Sequence, residues 1–252
     1  MSHEFELHKE IDIPATPEQV WAAIATGPGV DSWFMGRTEI EAGAGGETRF
    51  TMLGQTSSST ITSWEPGVRF GHRSEQGADG SFMAFDYLIE ARAGGSTGLR
   101  LVQSGVLGGE DWEAEYQAMQ AGWPMYLESL VAYLTYFPGR TATPVTALHP
   151  GAGDPATVWA RLVAELGVTG SVAEGVPAHV TVAGLPAADG VIDCVSLPHY
   201  LGIRTSDALY RFVHSGVDRG NVVVIGHHLF GAADPDRAAT AWQSWLTNLF
   251  TN

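Results

Sequence analysis

The sequence predicts an α+β chain built from two related units, and three observations carry that prediction. A heptapeptide recurs: Thr16-Pro17-Glu18-Gln19-Val20-Trp21-Ala22 returns as Asp154-Pro155-Ala156-Thr157-Val158-Trp159-Ala160. A helix-face tetrad recurs as well, Trp123, Tyr126, Leu127 and Leu130 being matched by Trp242, Trp245, Leu246 and Leu249. Between each heptapeptide and its tetrad the apolar residues alternate with a period of two, as an antiparallel sheet with one wet face requires. The interval Trp159–Trp242 is shorter than Trp21–Trp123, so the second unit is abbreviated.

Each element follows from local chemistry. Both heptapeptides place a capping side chain, then Pro at the first helical position, then an apolar pair, which opens a short helix. In the first half, strands are expected at about 4–13, 37–41, 47–53, 57–64, 68–75, 81–91 and 97–107, parted by the Gly-rich turns 43–46, 77–80 and 94–98. A long helix follows from Glu110 to Phe137, with Trp112, Tyr116, Met119, Trp123, Tyr126, Leu127, Leu130, Leu134 and Phe137 on one face. Pro124 lies inside it and should kink it or restart it at Trp123. In the second half, strands are expected at about 144–149, 178–184, 190–197, 200–205, 208–214 and 221–230, so the order repeats with one strand or helix fewer. Residues 1–138 form the first unit, 139–150 a linker and the first strand of the second, and 151–252 the rest of the abbreviated unit. In each unit one curved sheet should close on the long helix, because neither apolar face can be left in water, and the two units should pack on each other.

Composition removes several function classes. The 252 residues carry 28 acidic against 13 basic side chains, a net charge of −15, which repels nucleic acid and anionic membrane surfaces. The single cysteine, Cys194, excludes a disulfide framework and any multi-thiolate metal site and fits a reducing cytoplasm. The N-terminal MSHEFELHKEIDIP has no apolar leader core, and no stretch approaches the roughly 18 apolar residues of a membrane span. Histidines gather in the second half, at 149, 179, 199, 214, 227 and 228, yet neighbours such as His227 and His228 on one strand face opposite ways and no H-x-x-x-H helix occurs. No metal and no cofactor are expected. Ser57-Ser58-Ser59 reads as a polar strand edge or loop, and no G-x-S-x-G elbow accompanies it.

Four motifs resemble a known superfamily: Pro17-x-x-Val20-Trp21 after a first strand, Trp64-Glu65-Pro66-Gly67 at a strand end, Thr97-x-Leu99-Arg100-Leu101 with Ser104-Gly105, and Gly122-Trp123-x-x-x-Leu127-x-x-Leu130. Together they are similar to the helix-grip proteins called SRPBCC, START or Bet v I-like, and within them to activators of heat-shock-chaperone ATPases. The second half resembles the same superfamily through its helix motifs and strand count, but lacks counterparts of Trp64-Glu65-Pro66 and of Gly122. The resemblance implies a cavity between sheet and long helix that takes hydrophobic or aromatic small molecules. It also brings in START-like proteins of enediyne pathways, associated with self-resistance, among which tandem copies are found.

The cavity-lining residues come from inward positions of alternating strands and from the helix opposite: Phe50, Met52, Phe70, His72, Met83, Phe85, Tyr87, Gln103, Trp112, Tyr116, Met119 and Trp123. Each aromatic taken singly reads first as filling a close-packed core, but so many Met and Tyr side chains together suit an adaptable, partly polar cavity. His72 and Gln103 are the polar groups placed to orient a ligand, and no catalytic residue is assigned. The reading is a non-catalytic binding protein for a hydrophobic small molecule, used in polyketide or enediyne biosynthesis, sequestration or self-resistance. A polyketide cyclase or dehydratase using the same cavity is the alternative, and a chaperone ATPase co-factor the third.

Overall fold

The structure, a computed structural model, describes residues 2–251, and the chain divides into two compact units between Thr141 and Ala142. In the first unit the elements run β1 (His3–Ile13), α1 (Pro17–Ile24), α2 (Gly27–Val30), β2 (Arg37–Ile40), β3 (Glu47–Met52), β4 (Gln55–Glu65), β5 (Arg69–Ser74), β6 (Phe82–Ala91), β7 (Thr97–Leu107) and α3 (Trp112–Tyr136). Every sheet pairing is antiparallel, in the order β1-β7-β6-β5-β4-β3-β2. The first strand thus closes on the last, from His3 opposite Leu107 to Ile13 opposite Thr97.

The second unit repeats this plan with β8 (Thr143–His149), α4 (Pro155–Glu165), β9 (Pro177–Val180), β10 (Ala188–Ser196), β11 (Tyr200–Thr205), β12 (Ala208–His214), β13 (Val223–Leu229) and α5 (Pro235–Thr251). Its order, β8-β13-β12-β11-β10-β9, again joins first strand to last and runs as a meander from there. It has one strand and one helix fewer than the first unit among the described residues.

Both helix starts form as their sequences require. Thr16 and Gln19 make a reciprocal capping box, each side chain accepting the other's backbone N–H, and Asp154 Oδ1 accepts the N–H of Thr157 at 3.1 Å. The tryptophan of each heptapeptide then reaches the same turn: Trp21 packs edge-on against Trp64 just before the β4–β5 turn, and Trp159 donates its indole N–H to the carbonyl of Pro198 in the β10–β11 turn at 2.6 Å. α3 runs through Pro124 as one helix rather than restarting at Trp123. Pro124 and Gln120 are both exposed, so water takes the carbonyl that proline leaves without its helical donor.

A bulge falls at the same place in both sheets. Ile61 pairs with His72 and Ser63 with Gly71, which leaves Thr62 as the extra residue; Ile192 pairs with Ile203 and Cys194 with Gly202, which leaves Asp193. Each bulge faces a glycine, and beside each glycine the next strand carries a charged residue, Asp86 beside Gly71 and Arg211 beside Gly202. Arg69 donates two hydrogen bonds to Asp86, at 2.9 and 2.8 Å, and Arg211 donates two to Asp193, both at 2.9 Å. A side chain on Gly202 would enter this cluster, its Cβ falling 2.3 Å from Cys194 Sγ and 2.6 Å from Arg211 Nη1. An extra residue bends its strand and increases the local twist, and that bend gives each sheet a concave face toward its long helix.

Gly105 has a comparable steric reason. It sits opposite Met83, and a Cβ there would fall 2.1 Å from the Phe82 carbonyl oxygen. Since backbone must move to admit it, Gly105→Ala is expected to cost about 2 kcal/mol of stability, measured by chemical denaturation.

Candidate functional site

The concave face of the first sheet does not close completely on the helices. A cavity of about 390 Å³ remains, walled by β2 to β6 on one side and by Ile24 of α1, Val30 of α2, the following Trp33 and Phe34, and Trp123 of α3 on the other. Period two decides which strand residues face it: Phe70, His72 and Ser74 from β5, and Met83, Phe85 and Tyr87 from β6. Phe82 points the other way, under the guanidinium of Arg73 at 3.8 Å.

The walls are held in place by ring contacts and a few buried hydrogen bonds. Phe34 stacks on Tyr126 at 4.1 Å and meets Phe50 edge-on at 5.7 Å, while Phe85 stacks on His72 at 4.9 Å. Trp33 donates its indole N–H to the Ala23 carbonyl at 2.9 Å, and Asp31 accepts the Thr38 N–H at 2.7 Å, which pins the α2–β2 connection across the cavity. That connection comes close enough to β3 only because residue 36 is glycine. Its φ is +90°, and a Cβ would lie 2.7 Å from the Thr51 carbonyl oxygen and 2.8 Å from the Phe50 ring.

Seven of the twelve residues expected to line a cavity do so: Phe50, Phe70, His72, Met83, Phe85, Tyr87 and Trp123. The other five lie outside the lining. Gln103 is buried, with its amide used up: its Oε1 accepts the Trp123 indole N–H at 2.6 Å, and its Nε2 lies 2.9 Å from Met119 Sδ and 3.2 Å from Met83 Sδ. It fixes the cavity-facing Trp123 from behind. Met52 ends β3 beside the β3–β4 turn, opposite Gln55. Trp112 stacks on His3 at 4.1 Å and Tyr116 meets Phe5 at 6.0 Å, so the first turns of α3 cover β1 instead. Sequence reasoning missed the Val30–Thr38 stretch, whose only signal is the apolar run Trp33-Phe34-Met35 between glycines. It also missed Ser57, Ser58 and Ser59, which lie on β4 and line the cavity.

Within this largely apolar lining His72 is distinctive. Its ring makes no hydrogen bond and its Nδ1 is buried without a partner. Burial lowers its pKa from 6.5 to about 4, so the imidazole is neutral near pH 7. Burial also raises the Tyr126 hydroxyl to about 12 and pushes Tyr87 up further, so both remain protonated. The cavity therefore carries no formal charge at neutral pH from these groups and offers one unsatisfied polar ring.

Because Gln103 holds Trp123 through a buried bond, Gln103→Leu should leave the indole N–H without an acceptor. The expected cost is about 2 kcal/mol in denaturant unfolding, with altered near-ultraviolet circular dichroism from the displaced indole.

In the second unit the inner part of the corresponding space is filled, and the space that stays open lies toward the N-terminal end of α5. Trp242, Phe212 and Ile225 are buried in its core, and His227 meets Trp242 edge-on at 4.2 Å under α5, where Gln103 lies under Trp123 in the first. His227 Nδ1 accepts the Arg211 N–H at 3.0 Å, which makes Nε2 the protonated nitrogen of the neutral ring, and burial holds the ring's pKa well down. His214 Nδ1 accepts the Gly216 N–H while its Nε2 lies 3.3 Å from the Gly153 carbonyl oxygen, and His179 of β9 bonds Asp189 of β10. Among the described residues no three His, Cys, Asp or Glu side chains come together as a metal site would need.

A curved antiparallel sheet wrapped on a long C-terminal helix, built twice and enclosing a cavity in its first copy, is a helix-grip fold. Residues 14–135 match the family described as Activator of Hsp90 ATPase homolog 1-like protein, in line with the SRPBCC/START-like resemblance of the first unit. Among solved structures, MLL2253 from Mesorhizobium loti is 20% identical with a TM-score of 0.46, covering 53% of this chain and 98% of its own. DynU16 from the dynemicin biosynthetic locus is 18% identical with a TM-score of 0.45, covering 98% of both chains. CalU16 from Micromonospora echinospora is 20% identical with a TM-score of 0.40, covering 51% of this chain and 73% of its own. No curated protein matches the chain. Among the described residues no helix is long and apolar enough to cross a membrane.

Proposed function

We propose that the first unit binds an apolar or aromatic small molecule that carries a hydroxyl or similar hydrogen-bonding group. The observation that carries this reading is the aromatic-walled cavity with the unpartnered His72 ring on its wall. An unpaired buried nitrogen costs free energy in an empty site, and a ligand hydroxyl placed against the ring would offset that cost. A volume of about 390 Å³ lies within the range of small-molecule pockets and suits two or three fused rings. The resemblance to START-like proteins of natural-product pathways supports a polyketide-type aromatic as the physiological guest, held for sequestration or self-resistance.

Binding is favoured over a cyclase or dehydratase because His72 has no carboxylate or carbonyl to orient its ring, as a proton-transferring histidine needs. The test is a titration with 2-naphthol followed by tryptophan fluorescence. Trp33 and Trp123 line the cavity, so saturable quenching is expected, with nuclear Overhauser effects from naphthol protons to the Met83 methyl group. Absence of both would refute the proposal, and turnover of a polyketide substrate would replace it with the enzyme reading.

A further inference from the structure

We propose that the second unit carries a separate binding site, at the N-terminal end of α5, for a small molecule with an ammonium group on an apolar or aromatic body. This goes beyond the function proposed above, which concerns the first unit. The pocket holds about 600 Å³ and lies wholly within the second unit, among the β9–β10 connection, the β11–β12 turn, the β13–α5 connection and the first turns of α5.

Its polar groups differ in what they have left to offer. Asp234 caps α5, accepting the N–H groups of Asp236 and Arg237. Asp189 is held by His179 at 2.6 Å, and Arg237, the one cationic side chain of the lining, donates to the Gly184 carbonyl. Asp207 accepts only from the Thr205 hydroxyl, through Oδ1 at 3.1 Å, and Oδ2 is not committed. The β13–α5 connection passes that oxygen at a residue without a side chain, since a Cβ on Gly231 would lie 3.0 Å from it.

The second observation is independent of the carboxylates. Tyr210 is only 8% exposed and lines the pocket, and its hydroxyl makes no hydrogen bond. Its ring is fixed edge-on against His227 at 5.0 Å and tilted against Trp242 at 5.6 Å. A tyrosine hydroxyl without a protein partner that opens on the pocket from a largely buried ring, a carboxylate with an open oxygen and two aromatic rings form a set that an alkylammonium satisfies, by charge, by hydrogen-bond donation and by contact with the ring faces. A carboxylate ligand would instead meet three acidic side chains against one guanidinium, on a chain whose net charge is −15.

The test uses the full chain, labelled with nitrogen-15, and two probes of matched shape and opposite charge, 2-phenylethylamine and 3-phenylpropionate. Amide shifts at Asp207, Gly231 and Ala238 are expected to saturate with the amine at about tenfold lower concentration than with the acid. Asp207→Asn and Tyr210→Phe should each weaken amine binding about threefold, without altering the 2-naphthol response of the first unit. The site is refuted if the acid binds as tightly as the amine, if shifts occur only in residues of the first unit, or if neither substitution changes the amine affinity. Should Asp207→Asn disturb the fold, seen as lost spectral dispersion, Tyr210→Phe alone decides the outcome.

Discussion

Replacing Trp242 with alanine is expected to destabilise the second unit by about 4 kcal/mol, the largest stability effect of any substitution considered. Trp242 is 1% exposed and is the meeting point of the rings under α5, with His227 at 4.2 Å, Trp245 at 5.2 Å, Tyr210 at 5.6 Å and Phe212 at 6.1 Å. Removal loses the transfer free energy of the indole and leaves a void that β12 and β13 cannot collapse into without breaking their ladder. The His227 Nε2–H, buried with no hydrogen-bond acceptor and facing this ring cluster, would lose the aromatic surface that stands in for one. Denaturant unfolding followed by circular dichroism should show an early transition in the variant. An unchanged midpoint would mean that α5 does not hold the second sheet in the way its contacts indicate.

The second large effect concerns His72→Leu, which keeps the volume and removes the polar ring. Affinity for 2-naphthol is expected to fall about tenfold while affinity for naphthalene, which has no hydroxyl, stays within about twofold. The same substitution has a signature in acid. His72 titrates near 4 in the folded protein and near 6.5 when unfolded, so between these values the unfolded chain binds more protons. Stability from this group is therefore intact above pH 6.5 and is lost as the pH falls toward 4, by at most about 3 kcal/mol. The leucine variant should lack that part of the acid loss. Equal losses for the two ligands, or an unchanged acid limb, would remove His72 from the site.

The sheet and its helices were legible because they rest on periodicity and capping, which are written locally. Thr16-Pro17 and Asp154-Pro155 open helices where they stand, and the alternation of Met83, Phe85 and Tyr87 puts these three on one face whatever lies opposite. The α2–β2 connection was not legible, since an irregular segment has no period and the approach of Phe34 to Phe50 depends on Gly36 passing close to β3. Gln103 illustrates a different limit. Alternation gives the direction of its side chain correctly, but only packing decides whether that direction ends at a ligand or at the indole of Trp123. The first turns of α3 fail for the same reason: Trp112 and Tyr116 share a face with Trp123, yet the sheet beneath them is β1, and the cavity lies further along.

Thr62 and Asp193 have unrelated side chains but occupy the same step of the ladder in their respective copies. What the duplication preserved there is a tally of residues. A one-residue deletion at either point would rotate the remainder of that strand by half a period, turning Trp64 in one copy, or Val195 in the other, to the opposite side. Neither position should therefore show gaps among homologous sequences, while replacement is open at the exposed Thr62 and is restrained at Asp193 by its buried pair with Arg211.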